Sequence, residues 1–275
     1  MLLGLNGATT MQADLVTDIR VASEAGYGFL EIWAAKLEEY LKSNDLSRLR
    51  ELLSERGIQP VNINAVENIN FQPADRFAEV QRVCTTLCER AQGLGCSFVI
   101  VVPSPLPAAG ISESEIKRET VAALERLLAI ARRYDVGLAF EFLGEPGCSV
   151  GTLGLANEIV EEIADPRLGL VLDVFHFYSG GSSLESIERV DPKKLFIVHL
   201  NDSEDRPLPL LRDEHRLLPG EGVIPLGAIV KRLAGIGYRG VYSIELFRPE
   251  YYAWEPYRLA VEARERMASL LASVQ

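Results

Sequence analysis

Three acids and one imidazole fall at the ends of consecutive apolar runs: Glu141 in GLAFEF, Asp173 in LGLVLD, His199 in LFIVHL and Glu245 in VYSIEL. A lone carboxylate in such surroundings is costly to desolvate. Three held close together would also raise one another's pKa. A divalent cation removes both costs. Three carboxylates and an imidazole make a mixed oxygen and nitrogen donor set that suits Mn²⁺, Mg²⁺, Co²⁺, Fe²⁺ or Zn²⁺, with no thiolate to select zinc. The competing explanation pairs each acid with Arg or Lys. It suits one such acid well and four residues in succession poorly, because the basic residues lie mainly in helical and loop stretches. One divalent metal ion, held by Glu141, Asp173, His199 and Glu245, is therefore expected.

The elements that must position these groups alternate along the whole chain. Short apolar runs (LLGLN, FLEIW, PVNINA, SFVIVVP, GLAFEF, LGLVLD, LFIVHL, VYSIEL) are separated by stretches with helical period, such as DRFAEVQRVCTTLCERAQGLG. Strands apolar on both faces belong in a parallel sheet. Gly26, Gly57, Gly95, Gly137 and Gly237 stand where helices should end. The expected fold is α/β, a single (β/α)8 TIM barrel over residues 1–275. An open doubly wound sheet is the rival, but LNGATT after the first strand is not its glycine fingerprint. Barrel enzymes work at the C-terminal ends of their strands. Asn6, Glu31, Trp33, Asn62 and Asn64 end or lie within the first three.

Totals exclude several classes. There are 28 Lys and Arg against 39 Asp and Glu, a net charge of −11. Such a chain repels phosphate backbones, so no nucleic-acid partner is expected. No apolar run approaches the roughly 20 residues of a membrane span, and MLLGLNGATT reads as a first strand rather than a signal peptide. Cys84, Cys88, Cys96 and Cys148 form no CxxC pair and read as reduced thiols of a cytoplasmic protein. Tyr251, Tyr252 and Trp254 follow the last strand, where they would serve a homo-oligomer interface or cover the site.

Two of the three histidines remain. His176 follows Asp173 by three residues and would bind substrate or hold a nearby carboxylate; a satisfied structural histidine fits almost as well. His215 lies in the long stretch DSEDRPLPLLRDEHRLLPGEG, a candidate lid. There His215 reads as structural or solvated, and Arg216 as a substrate contact.

LNGATT, VNINA, LAFEFLG, GLVLDVFHF, FIVHLNDSED, LPGEG and SIELFRPEYY resemble the xylose isomerase-like TIM barrels, the sugar isomerase and epimerase group, over nearly the whole chain. Within that group the likeness is greatest to the inosose isomerase branch of myo-inositol catabolism. The resemblance implies one divalent metal on Glu141, Asp173, His199 and Glu245, with the two glutamates also moving the protons. It places Arg248 and Glu250 near the mouth. Asn201 is a departure, since an acid is usual directly there, before Asp202. The implied substrate is a sugar or cyclitol ketone, 2-keto-myo-inositol, isomerised through an enediolate by glutamate acid and base. Trp33 and Phe175 would face its C–H surfaces, and Asn6, Asn64 and Arg216 its hydroxyls. Ketose 3-epimerases, hydroxypyruvate isomerases and metal-dependent 3-dehydroshikimate dehydratases share the barrel and ligand set. Nucleases of the endonuclease IV type need more histidines than this chain has, and a degenerate metal-free barrel would have lost ligands that are all present.

Overall fold

The computed structural model describes residues 1–107 and 110–274. The expected 1–275 unit thus includes Ala108, Ala109 and Gln275, which lie outside the described residues. Eight strands form the barrel: β1 (Leu2–Asn6), β2 (Phe29–Trp33), β3 (Gln59–Val66), β4 (Phe98–Val101), β5 (Gly137–Glu141), β6 (Leu168–Asp173), β7 (Leu195–Leu200) and β8 (Val241–Ile244). All pair in parallel with their sequence neighbours, and β8 closes on β1 through Leu2 opposite Val241. Closure rules out the open-sheet alternative.

The strand period of two explains why the barrel is apolar below and polar above. Ala139, Val171, Ile197 and Val241 point inward and pack with Val61, Phe98 and Ile100 into a plug. Two residues further along each strand, the inward positions are Glu141, Asp173, His199 and Ser243, with Glu245 two beyond that. A larger apolar layer lies between the outer strand faces and the helices. Among the described residues, no helix is long and apolar enough to cross a membrane.

Four of the five expected glycine caps take left-handed backbone: Gly26, Gly57, Gly95 and Gly237. Gly137 does not. Asp135 takes the positive φ (57°) that ends the preceding helical stretch, and Gly137 opens β5. Its reason for being glycine is close approach, since a β-carbon there would lie 2.9 Å from the Arg167 carbonyl oxygen. Three short helices go beyond the eight expected ones, Ala34–Tyr40, Val174–Ser179 and Pro249–Tyr252, while the short helix expected near SLESIERV spans Leu184–Ile187. The long segment after β7 is not a free lid. It folds back as a two-residue antiparallel ladder, Asp202–Ser203 against Arg216–Leu217. Asp202 carboxylate oxygens accept from the backbone of Ser203, Gly220 and Ile224. Tyr251 ties the segment to the last strand's loop, its hydroxyl bonded to the Leu218 amide and the Glu221 carboxylate.

A buried ion pair fixes the turn after β1. Lys36 Nζ donates to the carbonyls of Gly7 and Thr10 at 2.8 Å and to both Asp18 oxygens at 2.8 and 2.9 Å. Burial is the largest influence on Asp18 and pushes it up to about 6, despite Lys36 and the Thr10 hydroxyl, which favour the anion. Every ammonium proton is used, so the pair is structural. Lys36→Met keeps the bulk and leaves Asp18 and two carbonyls unpaired. Urea denaturation should show a loss of about 3–5 kcal/mol; a loss below about 1 kcal/mol would mean that the pair does not hold this turn.

Candidate metal centre

Four consecutive strands converge on one point above the apolar plug. β5 and β6 end on Glu141 and Asp173, β7 carries His199 one residue before its end, and Glu245 follows β8 directly. Asp173 and His199 are register partners, as are His199 and Ser243. Ligand-type atoms of Glu141, Asp173, His199 and Glu245 all lie within 4.8 Å of one another, and all four residues are buried.

The imidazole orders the cluster. His199 Nδ1 lies 3.1 Å from Glu245 Oε2, 3.2 Å from Glu141 Oε1 and 3.7 Å from Asp173 Oδ2. Its Nε2 points the other way, 3.0 Å from Glu31 Oε2. Each of two acids divides its oxygens between structure and centre. Asp173 Oδ1 accepts the amides of Phe175 and His176, capping the helix Val174–Ser179, while Oδ2 faces inward. Glu245 Oε1 accepts from the amides of Asn6 (2.9 Å) and Asn64 (3.2 Å), leaving Oε2 toward His199.

Arg216 is the one guanidinium at this cluster. It is fully buried, with Nη1 donating to Asp173 Oδ2 at 2.5 Å and Glu245 Oε2 at 3.2 Å, and Nε donating to Asp213 at 2.8 Å. Phe175 and Phe247 flank its plane at 4.9 and 5.1 Å. Nη2 lies 3.1 Å from His176 Nε2. Arginine only donates, so His176 Nε2 accepts and its proton sits on Nδ1 in the neutral ring. That Nδ1 has no protein partner.

Electrostatics follow from this packing. Burial is the largest influence on every group here. It pushes Glu245 up to about 7 and raises Glu141, each despite the attraction of His199. For Asp173 the charges of Arg216, His176 and His199 and the His176 amide together outweigh burial and hold the carboxyl well below the usual range. For His199 burial opposes protonation, but Glu245, Glu31 and Glu141 together raise it well above the ordinary histidine value. Four buried carboxylates, counting Glu31, therefore share one arginine and one imidazole. The excess of negative charge, the three-oxygen, one-nitrogen donor set and the inward-facing Nδ1 all fit a divalent cation.

The centre opens on a cavity of about 460 Å³, a size suited to a small ligand. Trp33, Asn64, Glu141, His176, Arg216, Glu245 and Phe247 are among its lining residues, with Glu67, Glu145 and Asp213 nearer the rim. Two expected substrate contacts are placed elsewhere. Asn6 is fully buried, away from the cavity lining, with its Nδ2 on Glu245 and its Oδ1 accepting from Ala8. Phe175 is buried beneath Arg216 rather than in the cavity wall; Phe247, which packs edge-on to Trp33, takes that place. Asn64 lines the cavity while holding Glu245. His215 is structural, accepting from the Arg212 amide through Nδ1. Arg248 donates to Glu204 at 2.6 Å and pairs with the exposed Glu250, and none of the three is among the cavity's lining residues. Asn201 donates to Asp173 Oδ2 at 3.1 Å, a bond that an ionised acid at that position could not make. Glu31, Asp213 and Phe247 had no assigned role in the sequence reading. For Glu31 the available signal was an acid inside the apolar run FLEIW.

A closed eight-stranded barrel with this donor set at the C-terminal ends of its strands defines a class. The family described as Xylose isomerase-like TIM barrel matches residues 19–270, and the chain belongs to that family. It is 40% identical over 254 residues to an inosose isomerase of Halalkalibacterium halodurans, covering 92% of this chain and 90% of that protein. Among solved structures, it is similar to the IolI protein with a bound zinc atom: TM-score 0.96, 37% identity, covering 100% and 99% of the two chains. A 3-dehydroshikimate dehydratase of Pseudomonas putida is 23% identical over 246 residues, 89% of this chain but 38% of that protein.

Metal and protons should compete here. In the metal-free fold Glu245 titrates near 7 instead of its ordinary 4.5. Its contribution to metal-free stability is present below the ordinary value and is lost as pH rises through about 7. Metal needs the carboxylate and gains over the same range. The rise in Tm on adding Zn²⁺ or Mn²⁺ to chelator-treated protein should therefore be larger at about pH 7.5 than at about pH 5.5. It should approach roughly 4 kcal/mol of added stability at a thousandfold excess over Kd. Equal increments at both pH values would count against proton competition at Glu245.

Proposed function

We propose that the protein is a divalent-metal-dependent inosose isomerase that interconverts 2-keto-myo-inositol and its 1-keto-D-chiro isomer. The observation that carries this reading is the placement of Glu141 and Glu245 beside one imidazole nitrogen, at 3.2 and 3.1 Å, with both glutamates lining the same cavity. Glu141, Asp173, His199 and Glu245 hold the ion. A divalent ion held there would supply Lewis-acid stabilisation of the negative charge that proton removal puts on the substrate.

The remaining chemistry belongs to side chains. One glutamate removes the proton from the carbon that bears the hydroxyl next to the ketone. The C–H electron pair becomes the enediolate double bond, and a proton is returned to the former carbonyl carbon. The hydroxyl-bearing carbon becomes the new ketone, so no oxidant or water is consumed. His176 lines the cavity, its ring held by Arg216 through Nε2. Trp33 and Phe247 give apolar walls to the C–H faces of a ring, and Asn64 stands where hydroxyls are bound. The barrel of residues 1–275 acts as one unit, in the reducing cytoplasm, with free cysteines and a small cyclitol as its partner.

Charge favours this reading over the dehydratase. The substrate of a dehydroshikimate dehydratase carries a carboxylate. Among the described residues lining the cavity, Arg216 is the one guanidinium, and it is committed to Asp173, Asp213 and Glu245. Glu67, Glu145 and Asp213 make the rim acidic. An uncharged polyol ketone meets no such repulsion.

Proton exchange tests the assignment. Metal-loaded protein in D₂O with 2-keto-myo-inositol should produce a second inosose carrying deuterium, followed by NMR. Glu245→Gln and Glu141→Gln should each lower the rate by about 10²- to 10⁴-fold, with metal content measured in parallel. Conversion of 3-dehydroshikimate to an aromatic acid, with no exchange into the inosose, would replace this reading with the lyase.

A further inference from the structure

We propose that Glu31 is a positioning residue that holds His199 as a metal ligand through Nδ1. The inference rests on the metal centre proposed above. Glu31 lies in β2, across the barrel from the strands that carry the ligands, and is fully buried. Among the described residues its charged partner is His199 alone: Oε2 lies 3.0 Å from His199 Nε2 and 2.7 Å from the Asn62 amide nitrogen. Oε1 has no hydrogen-bond partner. A carboxylate desolvated this far, with no Lys or Arg beside it, needs a reason to be there.

The reason is the direction of a single proton. An ionised carboxylate can only accept. With Glu31 against Nε2, the neutral imidazole must keep its hydrogen on Nε2 and leave its lone pair on Nδ1. Nδ1 is the nitrogen aimed at Glu141, Asp173 and Glu245. The buried charge behind the ring also makes that lone pair a stronger donor and locks the ring plane. Asn62 completes the arrangement by holding the same oxygen of Glu31 in place, from the adjacent strand β3, where it is the register partner of Glu31. The chain from Asn62 through Glu31 to His199 thus runs beneath the centre, outside the cavity lining.

Glu31→Gln tests this with minimal change of shape, because the glutamine oxygen can still accept from both donors. Zinc affinity would be measured by competition with a chromophoric chelator on wild-type protein, Glu31→Gln and Glu31→Ala. Folding would be checked by Tm of the metal-free forms. Glu31→Gln should weaken zinc binding by roughly 10- to 100-fold, and Glu31→Ala by at least as much. ¹⁵N NMR of the zinc-loaded wild type should find His199 metallated at Nδ1, with a strongly deshielded Nε2 proton. That proton should move upfield in Glu31→Gln, a change that a purely packing role would not cause. Two results would overturn the proposal while leaving the centre intact: zinc affinity within about twofold of wild type in folded Glu31→Gln, or metal on Nε2. Failure of the wild type to bind zinc or manganese would instead remove the metal centre, and this inference with it.

Discussion

Carboxylates gathered in a water-poor barrel mouth repel one another, and most polar contacts around the site answer that repulsion. Glu31, Glu141, Asp173 and Glu245 are all buried. Arg216 faces two of them and reaches Asp213 besides, while His199 touches all four within 3.7 Å. Uncharged donors take up two further oxygens: backbone amides on Asp173 Oδ1, and Asn6 and Asn64 on Glu245 Oε1. These amides add no positive charge, so four carboxylates outnumber Arg216 and His199 and the cluster favours a cation. An extra lysine would reduce that excess of negative charge and weaken the attraction for a metal ion.

This arrangement makes the scaffold's precision part of the chemistry. The inward positions are set by strand period, and closure of the barrel brings β2 within reach of β7 through Glu31 and His199. The segment after β7 supplies Arg216 and Asp213. It is held by its own ladder, by three amides on Asp202 and by Arg248 on Glu204. A swinging lid would carry Arg216 away from Asp173 each time it opened, exposing the carboxylates to one another. Pinning the segment keeps the charge balance constant. Packing of the loop after β5 is equally close: a β-carbon at Gly144 would lie 2.3 Å from the His176 carbonyl. Bulk there would displace the helix that carries His176.

The four clustered candidate ligands were legible because strand period and barrel topology leave few places for an acid at the end of an apolar run. Glu141, Asp173, His199 and Glu245 needed only that rule. Asn6 and Glu31 were not legible in the same way. Their partners, Glu245 and His199, lie 239 and 168 residues away in sequence, and nothing local says whether a buried amide serves a ligand or a substrate. Phe175 and Phe247 were exchanged for a similar reason. Each follows a strand closely, but the first turns into a short helix beneath Arg216 and the second turns toward the cavity. Gly137 misled because a glycine between a helix and a strand fits a cap as well as a close strand approach. The added short helices share this ambiguity, being too short for period to reveal.

The two glutamates are alike in type but unlike in support. Glu245 is fixed by Asn6 and Asn64 on one oxygen and by Arg216 on the other, whereas Glu141 takes its hydrogen bond from His199. Both are pushed toward the neutral form by burial, and Glu245 reaches about 7. Under the proposed isomerisation a pair of acids alternating as base and acid gains from such a difference, because identical environments would leave no reason for one to hold the proton while the other lacks it. The asymmetry originates in neighbours rather than in the acids themselves: both meet the imidazole on β7, and Glu245 alone also takes the amides of Asn6 on β1 and Asn64 on β3. That imidazole is itself set by Glu31. The difference between the two acids is thus set largely by their neighbours, and the barrel's closed hydrogen-bonded ring keeps those neighbours in register.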